Sequence, residues 1–130
     1  MKYSRMFLRT AIVYVRFFKK ESLNIYSLED QEQAIRDYAS EYGYRILEVF
    51  REDNQPSKSF DRPAFRAMVN YVKENPWKVK FLIVTDRTRL STQTTGMHEL
   101  RQFLRKNGIK LISIVESMLK YASKPTKQGR

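Results

Sequence analysis

The sequence predicts a three-layer α/β/α domain built on a mainly parallel sheet of four to five strands. Three observations carry that prediction. Four short runs rich in Val, Ile, Phe and Tyr, at 11–18, 44–50, 78–85 and 109–115, suit strands. The stretches between them repeat apolar residues at helical spacing and end on Gly or Asn-Pro. A chain of 130 residues is large enough for one domain with a proper hydrophobic core.

Each element can be justified in turn. Residues 1–10 are a basic arm without a clear period. Ala11 to Phe18, AIVYVRFF, is a nearly continuous apolar run, so this strand is expected to be buried on both faces at the centre of the sheet. Lys19 to Tyr26 is a polar loop. Ser27-Leu28-Glu29-Asp30 has the form of a helix start, with a capping serine and two acids in the first turn. Leu28, Gln31, Ala34, Ile35, Tyr38 and Tyr42 then recur on one helical stripe, and Gly43 closes it. Gln31 is the polar intruder on that stripe.

Tyr44 to Phe50 reads as the second strand. Arg51 to Arg62, with its proline, two serines and many charges, reads as an exposed loop. Asp61 and Pro63 open the next helix, which turns Phe65, Met68, Val69 and Val72 inward and stops at Asn75-Pro76. Lys78 to Thr85 is the third strand. Met97, Leu100, Phe103 and Leu104 mark a third helix closed by Asn107-Gly108, and Ile109 to Val115 is the fourth strand. This organisation gives an arm at 1–10, a domain at 11–116 and a basic tail at 117–130.

Composition narrows the chemistry. The chain has no cysteine, which excludes disulfides and thiolate metal sites, and His98 is its only histidine. No apolar run approaches the roughly 18 residues of a membrane span. We expect a cytoplasmic protein without cofactor or membrane contact. Lys and Arg number 25 against 14 acids, a formal charge of +11, and that excess favours a polyanionic partner.

In parallel sheets of this kind, functional groups collect at the C-terminal strand ends. Those ends carry Arg16, Arg62, Arg87 and Arg89, with Asp53, Asp61 and Asp86 nearby. Convergent guanidinium groups suit phosphate, because their planar forks bond two oxygens at once and stay charged. None of the four glycines forms a phosphate-cradling GxGxxG or Walker-type run, so a nucleotide-cofactor enzyme fits poorly. The arginine at the end of the first strand also argues against a carboxylate metal pocket there.

Tyr14-Val15-Arg16, Ser27-Leu28-Glu29-Asp30-Gln31, Asp61-Arg62-Pro63 and Arg89-Leu90-Ser91, in that order and spacing, resemble the catalytic domain of the serine recombinases, the resolvase and invertase family. Glu116 after the fourth strand and the closing Gly129-Arg130 extend the likeness. The resemblance implies a resolvase-like fold, double-stranded DNA as partner, a homodimer or tetramer, and a serine that attacks a scissile phosphate while arginines offset the transition-state charge. It implies that Arg16, Gln31, Asp53, Arg62 and Arg89 are retained family site positions. It also implies a long helix beyond the catalytic domain. The sequence stops about where that helix would begin, as expected of an excised domain or a truncated product.

Three family positions are substituted. Phe18 stands where the resemblance places the nucleophilic serine, Thr88 where it places an acid and Thr92 where it places an arginine. The serine usual after Asp53 falls on Pro56. A phenyl ring offers no lone pair to attack phosphorus. The first expectation is therefore a recombinase-type domain that has lost cleavage, from a mobile element or acting as a regulator. Two alternatives stay open: an active domain using another hydroxyl, such as Ser22, and a small α/β domain binding a phosphorylated ligand.

Overall fold

The first strand lies inside the sheet because its sequence leaves it no other place. In the computed structural model, residues 8–17, 27–53, 62–86 and 94–115 are described. They form β1 (Thr10–Phe17), α1 (Leu28–Tyr42), β2 (Arg45–Asp53), α2 (Pro63–Glu74), β3 (Phe81–Val84), α3 (Thr94–Lys106) and β4 (Lys110–Ser113). The sheet order is β2-β1-β3-β4, and every pair is parallel. Thr10 through Arg16 are all buried, as a strand covered on both faces requires.

The alternation of β1 divides the core. Ala11, Val13 and Val15 pack against Ala34 and Ile35 of α1. Ile12 and Tyr14 pack on the other side with Met68 and Val72 of α2 and Leu100 and Leu104 of α3. One helix thus covers one face and two cover the other. A one-residue register shift opposite Ala11/Ile12 leaves Leu47 as the extra residue of β2.

Helix α1 starts and stops as the sequence predicts. The Ser27 hydroxyl accepts the backbone N–H of Asp30 at 3.0 Å, and Gly43 ends the helix at φ 77°.

Three strands differ from expectation in their bounds. β2 runs three residues past Phe50, so Arg51–Asp53 are strand and not loop. Their consecutive charges hide an alternation in which Phe50 and Glu52 point inward while Arg51 and Asp53 face solvent. β3 and β4 are shorter than their apolar runs, because the runs continue into buried connections such as Val79 and Ile109. Helix α2 begins at Pro63 with Arg62 in the cap position and no cap bond from that side chain. Asp61 lies outside the described residues.

Candidate functional site

The C-terminal ends of β1 and β2 and the start of α2 converge on one side of the sheet. Arg16 is the last fully buried residue of β1, at 2% exposure. Its cross-strand partner is Glu52, also 2% exposed. Residues in parallel register share a face about 4.8 Å apart. An isolated charge is very costly to bury. Neither is isolated: the two occupy paired positions on one face of the sheet, and each has polar partners.

Glu52 is the hub of this corner. Its Oε1 accepts the Tyr14 hydroxyl at 2.9 Å and the Phe65 N–H at 3.0 Å, and its Oε2 accepts the Ala64 N–H at 3.1 Å. The two amides belong to the first turn of α2, where N–H groups have no intrahelical acceptor and the helix end is partially positive. A carboxylate from the neighbouring strand therefore caps these two amides.

Arg62 is fixed from the other side of the same network. Its Nη2 donates to Tyr14 Oη at 2.7 Å. Its guanidinium carbon lies 4.8 Å from the centre of the Phe65 ring and 5.4 Å from that of Tyr14. Burial raises the Tyr14 phenol well above its ordinary pKa, outweighing the lowering effect of Arg62. Tyr14 is thus a neutral relay. It donates to Glu52 and accepts from Arg62, and it cannot do both as a phenolate.

Gln31 explains its own intrusion. β1 pairs with β3 only at Ala11–Val13, so the far end of β1 lacks that neighbour. The Gln31 amide takes its place. Its Nε2 donates to the Arg16 carbonyl at 2.9 Å, and its Oε1 accepts the Arg16 N–H at a longer 3.3 Å. A completely buried amide holds the backbone of the buried arginine.

The structure thus brings Arg16, Gln31 and Arg62 together. Asp53 does not join them: it is exposed, on the opposite side of β2 from Glu52. Glu52 and Tyr14 are the members that sequence reading missed. The signal was there in Phe50 and Glu52, two positions apart on one face of a strand longer than its apolar run. Arg89, Phe18, Thr88 and Thr92 lie outside the described residues, as do Arg87, Ser22 and Pro56.

Among the described residues the corner brings together two guanidinium groups and one carboxylate. Guanidinium forks suit an anion such as a phosphate. Among the described residues no group of His, Asp and Glu is arranged to hold a metal ion, and no helix is long and apolar enough to cross a membrane.

A family model described as "Resolvase, N terminal domain" matches residues 11–130. No curated protein matches the chain in sequence. Solved structures do resemble it. The N-terminal catalytic domain of TP901-1 integrase superposes with a TM-score of 0.71 at 20% identity, over 83% of this chain and 78% of that one. A resolvase family site-specific recombinase from Streptococcus pneumoniae gives 0.70 at 22% identity, over 83% and 73%. The C-terminal catalytic domain of ISC1926 TnpA, an IS607-like serine recombinase, gives 0.68 at 18% identity, over 87% and 77%. At these identities the likeness is one of fold.

Proposed function

The chain belongs to the resolvase N-terminal domain family, and from that premise we propose that it is a DNA-contacting recombinase domain that keeps the phosphate-facing scaffold without the cleavage step. The observation that carries the reading is the corner built by Arg16, Gln31, Tyr14, Glu52 and Arg62, with Phe18 two residues beyond Arg16 in the sequence.

Each group has a task set by its chemistry. Arg16 and Arg62 sit where a backbone phosphate would meet fixed positive charge, and Arg89 is assigned the same task. Gln31 and Glu52 hold the two arginines and do not touch the phosphate. Asp53, exposed at the strand end, keeps its assignment as a retained family position. Covalent strand transfer needs an oxygen nucleophile aligned with phosphorus. Phe18 supplies none, and Thr88 and Thr92 replace a carboxylate and a guanidinium. The domain then acts by occupying DNA in the cytoplasm and by associating with copies of itself or with active relatives, as a dimer or tetramer.

Binding to a short duplex, measured against salt, tests the DNA-contacting part. Each neutralised phosphate contributes about 0.9 to the slope of log K against log salt. Arg62→Ala should lower that slope by about one unit. A salt-independent affinity, or a slope unchanged by Arg62→Ala, would contradict the assignment. Phe18→Ser alone should leave the protein unable to cleave. Robust cleavage by that variant would show that Thr88 and Thr92 are no obstacle.

A further inference from the structure

The opposite end of the sheet, where strands begin and helices finish, carries its own cluster of charge and aromatic surface. Trp77, the only tryptophan in the chain, stands 73% exposed in the turn between α2 and β3. Lys78 N–H bonds back to Asn75 C=O at 3.2 Å, so Pro76 and Trp77 are the central residues of a tight turn. Trp77 has φ 54°. That position of a turn favours glycine, and a bulky residue there is strained. The fold gains little burial from the indole and bears its backbone strain. Such outliers are legitimate pointers to function.

The neighbouring connection, between α3 and β4, forms an open groove of about 410 Å³. Leu104, Ile109 and Leu111 contribute its apolar lining, and Arg101, Arg105 and Lys110 its cations. Lys110 N–H donates to the carbonyl of Lys80 at 2.9 Å, which sets the groove and the Trp77 turn on adjacent strands. Glu74 and Glu99 are the acids on the helices that bound this region. Each helix C-terminus adds about half a negative charge. Lys78, Lys80, Arg101, Arg105 and Lys110 outweigh these together.

We propose that this end is a second nucleic-acid contact, separate from the phosphate-facing corner, that takes a short single-stranded segment. Trp77 stacks a base, Lys80 and Lys110 meet phosphates, and the groove receives a neighbouring base against its apolar lining with Arg101 and Arg105 at its rim. Single-strand binders combine these parts, a cationic track and exposed aromatic platforms. Duplex DNA would satisfy the cations but keeps its bases stacked away from the indole. An acidic peptide would likewise leave the ring without a flat partner.

Because Trp77 is the sole tryptophan, its fluorescence reports the contact directly. The full chain is titrated with an oligo(dT) of about ten nucleotides, an oligo(U) of equal length, a DNA hairpin duplex and poly-glutamate. We expect saturable, salt-sensitive quenching by oligo(dT), oligo(U) or both, and their ratio reports the sugar preference. With a labelled oligonucleotide, Trp77→Ala should weaken binding at least 5-fold, from the usual worth of one stacked base. Lys110→Glu should weaken it as well, while Ser27→Ala at the other end should not. Circular dichroism confirms that each variant is folded. Equal quenching by poly-glutamate or by the duplex, or a folded Trp77→Ala protein with unchanged affinity, would overturn the proposal. Failure here leaves the duplex-binding reading standing, because Arg62 tests that one separately.

Discussion

Gln31 shows how much a single buried amide decides. It satisfies both backbone groups of Arg16 where β3 no longer reaches β1. Gln31→Leu is nearly equal in volume and would suit the surrounding apolar stripe, yet it strands a buried N–H and a buried C=O. Each such group costs about 1–3 kcal/mol. We expect a loss of about 2–4 kcal/mol in urea unfolding, against the gain that hydrophobic matching alone would give. Glu52 is the stronger case. Glu52→Ala removes the acceptor of two helix amides and of Tyr14, and it takes the carboxylate from a corner that holds two arginines. Breaking a buried charged network costs about 3–5 kcal/mol, and a fall of that size in unfolding free energy checks it. The two residues differ in legibility. Gln31 announced itself as polar on an apolar stripe. Glu52 was hidden by charged neighbours on both sides, because three consecutive charges read as solvent-exposed loop when only one face of the strand is wet.

At the scale of the elements, the signals that act locally were legible and those that depend on distant partners were not. Ser27, the two acids after it and Gly43 fix α1 from within seventeen residues of chain, and the structure has the helix between them. Ser27→Ala should cost about 1 kcal/mol, visible as a shift of a few degrees in thermal midpoint, with the fold unchanged. The burial of β1 was likewise written in its composition. The start of α2 at Pro63 was legible too, but its cap was not, because the acceptor is the Glu52 carboxylate of β2, twelve and thirteen residues before the amides it caps. Apolar runs also overstated β3 and β4. Val79 and Ile109 are buried without being in strands, and hydrophobicity reports burial before it reports hydrogen bonding.

The whole molecule is a basic domain in which two acids, Glu52 and Glu32, each tie separate elements together. Glu32 links α1 to β2: it accepts Arg51 Nε at 2.7 Å and Arg51 Nη2 at 2.8 Å, and also pairs with Arg36. Chiefly through the Arg51 hydrogen bond, its pKa is held below the ordinary glutamate value. A carboxyl group depressed in the folded state contributes stability above its unfolded pKa of about 4.3. That contribution is lost as pH falls through the lower folded value. Unfolding free energy of the parent should therefore drop more steeply below about pH 4.5 than that of Glu32→Gln. Parallel acid titrations by circular dichroism check the difference.

We propose that the domain pairs a phosphate-facing corner at the end of β1 with a sequence position, Phe18, that has no nucleophile to offer. Trapping of covalent protein–DNA adducts on nicked duplex substrates tests that pairing most directly. We expect duplex binding with no adduct, in the parent chain and in Phe18→Ser alike. An adduct mapped to any hydroxyl of the parent chain would contradict it.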